Sequence, residues 1–371
     1  MAGPSLRPFL ALGVLAMIFV STAPPAAASD WPQASLTEAG FAADTGERLD
    51  RLYDSGALPN LHGVVVVRHG KLVLERYYEG EDEVWGTPLG TVAFGPEVLH
   101  DLRSVSKSVV GLLYGIALAA GEVPAVDTPL VTLFDYPDLA ADPARRKITV
   151  QHALTMTLGL DWDESLPYSD PRNSEIAMEM SGDRYRYILE RPIVAEAGSR
   201  WTYSGGSTAL LAHLVSQGSG KPLIDYAREA LFTPLGITQS AWTPGTNGEA
   251  AAASGLRLTA RDLARIGQMV LNGGRWDGRQ VVPEAWLADS FTKHTASEDG
   301  LFYGYQWWLG TGSRDGRDWI AGFGNGGQRL VIIPHLDLVA VVLAGNYNQR
   351  DAWKISVRIL TEAIFPSLRV P

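Results

Sequence analysis

The stretch DLRSVSKSVVGLLYGIALAA, residues 101–120, decides how the rest of the chain is read. Ser104 and Lys107 stand three apart, and Val109, Val110, Leu112, Leu113, Ile116 and Leu118 follow at a spacing that predicts a largely buried helix ending near Gly121. Positions i and i+3 share a helical face, so the Lys107 amine comes within reach of the Ser104 hydroxyl. The positive end of the helix dipole and partial burial both disfavour the ammonium. The lysine pKa is therefore expected to fall towards a value at which the amine accepts the serine proton. The same end offers the Ser104 backbone N–H to a developing oxyanion.

Outward from this helix the pattern is strand at both chain ends and helix between. Leu61 to Val67 reads as a buried strand, His69-Gly70-Lys71 as a turn and Lys71 to Tyr78 as the hairpin partner. From about 125 to 255 come helices broken by Pro and Gly, including Tyr185 to Glu190 and Thr208 to Gln217, and then a helix over Thr259 to Leu271 and a helix start at Pro283 to Ser290. Strand-like runs at Trp319 to Gly322, Arg329 to Ile333 and Leu338 to Ala344 precede a final helix, about Asp351 to Ile364. The expected fold class is α+β: an antiparallel sheet from both chain ends flanked by helices, with a helical lobe over 125–254 inserted in an α/β lobe of 29–124 and 255–371. Residues 29–371 form one catalytic domain, with a cleft where the lobes meet.

The chain has 371 residues, 46% hydrophobic and 19% charged, enough for a large core. A net charge of -10 and no Lys/Arg run argue against a nucleic-acid partner. With no cysteine there is no disulfide, thiolate metal site or lipid-modified cysteine. Arg7, the apolar run from Phe9 to Val20 and Ala26-Ala27-Ala28 before Ser29 have the layout of a cleavable secretory signal, residues 1–28. That run falls short of the roughly 20 residues that span a bilayer. The expected location is therefore periplasmic or secreted, with no stable membrane insertion after cleavage.

Several competing motifs fail on context. Gly322-Phe323-Gly324-Asn325-Gly326-Gly327 fits GxGxxG but runs into a strand instead of opening a helix, and Gly220-Lys221 is followed by Pro222, which has no hydroxyl for magnesium. None of the seven histidines forms an HExxH pair, and a GxSxG elbow is absent. Ser290-Phe291-Thr292-Lys293 repeats the SxxK spacing, but towards the end of a polar, exposed helix with no buried apolar helix after it. Ser104, in contrast, has candidate partners elsewhere. Tyr203, in WTYSGG (201–206), can shuttle a proton if a neighbouring cation lowers its pKa. Asn325-Gly326-Gly327-Gln328 enters a strand, where glycines admit a substrate close to the backbone. Trp162, Asp163, Glu164, Trp307 and Trp308 are candidates for the cleft border.

Together these segments resemble the serine β-lactamase and penicillin-binding-protein superfamily, on its class C-like branch of esterases, peptidases and amide hydrolases that includes the 6-aminohexanoate oligomer hydrolases. The resemblance covers 101–108, ITVQHALTMTLGLDWDE (148–164), GSRWTYSGGSTALL (198–211), GLRLTARDLARIGQMVLNGGRWDGRQVV (255–282) and 303–308. It implies Ser104 as nucleophile, Lys107 as its base partner, Tyr203 as second acid/base, and the Ser104 and Gln328 backbone N–H groups as oxyanion hole. Gly205, Asn325, Gly326, Gly327 and Trp162 are the substrate-binding candidates. The chain departs from the family where Gly205 replaces the usual amide of the YxN motif and Asn325 replaces the usual Lys or His, which points away from β-lactams. The expected activity is hydrolysis of a small-molecule ester or amide through an acyl-serine, without metal or organic cofactor. The alternatives are a D-amino-acid peptidase, carboxypeptidase or β-lactamase acting on cell-wall-like substrates, and a catalytically silent relative that binds a cell-wall peptide or a protein.

Overall fold

A computed structural model describes residues 31–312 and 316–369. The expected signal segment lies outside the described residues. Among the described residues no helix is long and apolar enough to cross a membrane.

Eight strands make one sheet, antiparallel throughout: β1 (Leu61–Arg68), β2 (Lys71–Tyr77), β3 (Thr295–Ala296), β4 (Phe302–Tyr303), β5 (Trp308–Thr311), β6 (Asp318–Gly324), β7 (Gln328–Ile333) and β8 (Leu338–Ala344). Their spatial order is β3-β4-β5-β6-β7-β8-β1-β2, so the two chain ends join where β1 pairs with β8, Val64 facing Val342. Every residue of β1 and β8 is buried, which explains why both read as unbroken apolar runs instead of alternating ones. The side chains still alternate between two cores. Val65 and Val67 join one cluster with Val339 and Val341, and Val64 and Val66 join the other with Ala340 and Val342.

Helix α1 (Thr45–Asp54) and the terminal helical segment from Trp353 to Ile364 cover the second face. The first face carries α2 (Val105–Ala119), α4 (Gly205–Ser219) and α5 (Ala260–Leu271), with the short α3 (Ser174–Glu179) beyond. Twelve of the 15 residues of α2 are buried, as expected for a helix that is apolar on nearly all sides. Gly322 and Gly324 let β6 press against its N-terminal end. A Cβ on Gly322 would lie 3.1 Å from a Val105 methyl, and one on Gly324 would lie 2.5 Å from the Leu102 carbonyl oxygen.

The long strands and helices fall within a few residues of their expected places; α4 starts at Gly205 because Ser204 caps it, its side chain accepting from the Ser207 N–H. The short strands β3 and β4 and the half-exposed hairpin Glu79–Val84/Thr87–Ala93 were not expected, being too brief or too polar for a hydrophobic period. The run Gly322 to Gly327 spans the end of β6 and the turn into β7, with Gly326 and Gly327 at φ of 101° and 104°, and it opens no helix.

Candidate active site

The chain turns sharply into α2. Arg103 has φ of 48°, a left-handed conformation unfavourable for a residue with a side chain, and it is held there by its own guanidinium, which pairs with Glu83 and Asp101 and lies 4.4 Å from the Tyr347 ring centre. Ser104 then occupies the N-cap position with helical backbone angles and makes no capping hydrogen bond with its side chain. Its Oγ instead accepts from Lys107 Nζ at 3.1 Å.

Lys107 is 1% exposed, and its ammonium also donates to the Ala253 carbonyl at 3.1 Å. The half-buried Tyr203 completes the group. Its ring centre is 4.8 Å from Lys107 Nζ, and its ring stacks on Trp308 at 6.0 Å.

Two carboxylates lie beneath this group. Glu164 accepts from Trp162 Nε1 and the Gly205 N–H, both at 2.6 Å, and from the Tyr168 hydroxyl at 3.0 Å. Glu175 of α3 accepts from Ser254 Oγ at 2.9 Å, and its other oxygen is 3.8 Å from Lys107 Nζ. That oxygen stands where a side chain at position 205 would begin: a Cβ on Gly205 would be 2.5 Å from it. The missing amide of the YxN motif is thus replaced in space by a carboxylate from another segment.

The electrostatics reverse one expectation. Burial alone would lower the Lys107 pKa, but Tyr203 and the carboxylates of Glu175 and Glu164 outweigh it, so it moves up and the group stays an ammonium. Burial raises Tyr203, against the pull of Lys107. Burial and then the neighbouring Glu175 push Glu164 up to about 8, with Lys107 opposing. The lowered lysine pKa expected from the helix dipole fails because it leaves these acids out.

Ser104 opens on a cavity of about 280 Å³ whose ionisable carboxylates and guanidinium are Glu83, Glu175 and Arg103, with Trp85, Tyr168, Asn325 and Asn348 also on its walls. Of the proposed substrate contacts, Asn325 is there, but Asn348 occupies both ends of its amide: Asn325 Nδ2 donates to Asn348 Oδ1 at 2.8 Å and the Asn348 N–H donates to Asn325 Oδ1 at 2.7 Å. Gly205, Gly326, Gly327 and Trp162 do not line the cavity. The two turn glycines shape the β6–β7 connection that leads to Gln328, whose side chain braces it by donating to the Asn325 carbonyl at 2.9 Å and accepting from the Ala344 N–H. Trp162 is turned inwards to hold Glu164. Trp307 is fully buried and Asp163 is exposed at a turn, and neither lines the cavity; nor does Trp308, which stacks on Tyr203.

Residues 51–352 match the beta-lactamase family. The chain belongs to that family. It is 26% identical over 302 residues to the 6-aminohexanoate-dimer hydrolase of Paenarthrobacter ureafaciens, covering 75% of this chain and 71% of that protein. It is 29% identical over 220 residues to esterase EstB of Burkholderia gladioli, covering 55% and 54%. The octameric penicillin-binding protein homologue from Pyrococcus abyssi shares the fold with a TM-score of 0.65 at 17% identity, covering 87% of this chain and 80% of that one. As a member of the beta-lactamase family the chain is a hydrolase of the serine type.

Glu175 and the Ala253 carbonyl were missed by sequence reasoning. Neither sits in a motif, and the one available signal was negative: Gly205 left an amide-sized space without saying what fills it.

Proposed function

We propose that the protein is an exported hydrolase that cleaves uncharged esters or amides through an acyl intermediate on Ser104. The observation that carries this reading is the 3.1 Å contact between Lys107 Nζ and a Ser104 Oγ free of capping duty, at the head of a buried helix and facing a substrate-sized cavity.

In the acylating form the Lys107–Tyr203 pair has given up one proton, and the ammonium that remains stabilises the Tyr203 phenolate. The phenolate takes the Ser104 proton as Oγ attacks the carbonyl carbon, and the oxyanion is met by the Ser104 and Gln328 N–H groups. Tyr203 returns the proton to the departing alcohol or amine as the C–O or C–N bond breaks. The same steps with water as nucleophile release the acid. Lys107 acts here as a fixed charge, and Tyr203 moves the proton.

The preference for uncharged substrates rests on the cavity wall, where two carboxylates stand against one guanidinium that Glu83 and Asp101 already neutralise. Asn325 brings no charge, and Arg329 donates to Ser356 and stacks on Phe323. Without a cation for the substrate carboxylate, anionic β-lactams lose a charge-assisted hydrogen bond, which is about twice as strong as a neutral one. The names of the hydrolase and esterase relatives agree with an amide or ester bond. Comparing kcat/KM for a p-nitrophenyl ester and a chromogenic cephalosporin tests the reading, with the ester expected to be favoured at least tenfold. A preference for the cephalosporin would refute it. Export predicts a mature N-terminus at or near Ser29 in protein recovered from the native envelope or medium.

A further inference from the structure

Away from Ser104, three side chains from separate segments meet in the interior: His62 of β1, Asp82 of the Glu79–Val84 strand and His100. Both rings are fully buried and Asp82 is 5% exposed. The hydrogen bonds on the outer sides of the rings fix where their protons lie. Asn60 Nδ2 donates to the Glu81 carbonyl at 2.9 Å, and the Glu81 N–H donates to Asn60 Oδ1 at 2.9 Å. Asn60 Oδ1 is therefore an acceptor, and His62 Nε2, 3.1 Å from it, must be the donor. His100 Nδ1 lies 2.8 Å from the Asp101 carbonyl oxygen and must donate too.

A neutral imidazole has one N–H, so the inner nitrogens, His62 Nδ1 and His100 Nε2, are left with lone pairs facing each other at 2.8 Å. Facing lone pairs repel unless a cation lies between them. The carboxylate completes a donor set. Asp82 Oδ1 is 4.0 Å from His100 Nε2, and the three donor atoms lie within 4.8 Å of one another. Asp82 Oδ1 also accepts from the Tyr347 hydroxyl at 2.8 Å. Its Oδ2 is buried without a hydrogen-bond partner, with Arg257 Nη2 at 3.8 Å.

We infer that His62 Nδ1, His100 Nε2 and Asp82 Oδ1 bind one divalent transition-metal ion of the zinc class. Two imidazoles and a carboxylate suit zinc, whereas calcium and magnesium prefer oxygen shells. The outer N–H bonds to Asn60 and the Asp101 carbonyl are the arrangement that orients ligating histidines. Zinc–nitrogen bonds of about 2.0–2.1 Å at tetrahedral angles put the nitrogens about 3.3 Å apart, so binding spreads the rings by about half an ångström. The ion would tie β1 and the hairpin to the segment that ends at Ser104. Asp101, next to His100, also holds the Trp85 N–H at 2.6 Å and Arg257 Nη1 at 2.8 Å, so the ion stiffens the mouth of the cavity. It stands outside the reaction path, and the acyl transfer itself still calls for no metal.

The test starts with the wild-type protein, stripped with a chelator, reloaded with Zn²⁺ and passed through gel filtration. Elemental analysis should find one zinc per chain, and Co²⁺ in its place should give the visible bands of a tetrahedral site. No retained zinc and no such bands would overturn the inference. His100→Gln and Asp82→Asn should each weaken binding more than about 100-fold, and Asn60→Ala, which removes an outer acceptor, by about 10- to 100-fold. Full affinity in both ligand variants would place the metal elsewhere and also overturn it. Ser104→Ala should bind zinc as the wild type does, so the result stands apart from the fate of the acyl-serine mechanism.

Discussion

Ser104–Lys107 and Ser290–Lys293 share one spacing and differ in everything that makes the first a chemical site. Ser104 stands at the N-terminal end of a helix, whereas Ser290 closes the helix Glu284–Ser290 at its C-terminal end, where the dipole is of the wrong sign for an oxyanion. Lys107 is buried against Ser104, Ala253 and Glu175; Lys293 reaches away to Asp318 at 2.8 Å and Thr311 at 3.2 Å. The Ser290 hydroxyl is committed to the Trp286 carbonyl at 2.7 Å. The second helix is not the exposed one expected, since Trp286, Leu287 and Ser290 are buried, so burial of the serine alone does not separate the two. What separates them is which end of the helix the serine occupies and which groups surround the lysine.

The largest contrast should come from the serines themselves. Ser104→Ala should lose the fluorophosphonate adduct seen by mass spectrometry and lower turnover by about 10⁴-fold or more, while Ser290→Ala stays within about twofold. An adduct mapped to Ser290 would erase the distinction. The lysines should differ next: Lys107→Arg should cost about 10²- to 10⁴-fold in kcat, because a guanidinium cannot take the place of a compact ammonium among Ser104, Ala253 and Glu175. Lys293→Arg should leave the rate unchanged, and equal losses in the two variants would mean that both act through folding.

Tyr203→Phe removes one hydroxyl and little volume, so a drop of about 10²-fold in kcat with an unchanged melting temperature is expected. A rate equal to wild type would leave Ser104 without its proton carrier. The smallest effects concern pH. Glu175 raises the Lys107 pKa, so Glu175→Gln should move the rising limb of the kcat/KM profile to lower pH; movement to higher pH would show that this carboxylate does not govern the pair. Glu164, at about 8 in the folded protein and about 4.3 unfolded, binds its proton more tightly when folded. Its contribution to stability is complete below the unfolded value and is lost as pH rises through about 8. Melting temperature should fall between pH 6 and pH 9, and Glu164→Gln should flatten that fall.

The sequence makes plain whatever is carried by long apolar periods. β1, β8, α2 and α5 bury a face or all sides, and hydrophobic spacing records that directly. The Ser104–Lys107 contact is equally local, one turn of helix. What surrounds the lysine is not local. Glu164, Glu175 and Ala253 come from three different segments, and no pattern near Ser104 points to them. The direction of the lysine pKa was therefore misread, because the helix dipole is visible in a sequence and a folded-in carboxylate is not. Trp162 and Trp307 show the same limit: a tryptophan near a motif can just as well face inwards.

The pairing of β1 with β8 governs when the enzyme can come into being. The register that sets Val64 opposite Val342 unites residues far apart in the chain, a topology of high contact order, and such pairings form slowly. The nucleophile is made early in synthesis, yet Gln328 and the strands that brace it arrive almost last. Until then the growing chain has Ser104 but no assembled site. This delay should keep the nascent polypeptide from acylating itself with esters before its last strands are made. A chain ending at residue 327 should accordingly fail to react with a fluorophosphonate, and its labelling at Ser104 would show that the site assembles without the closing strands.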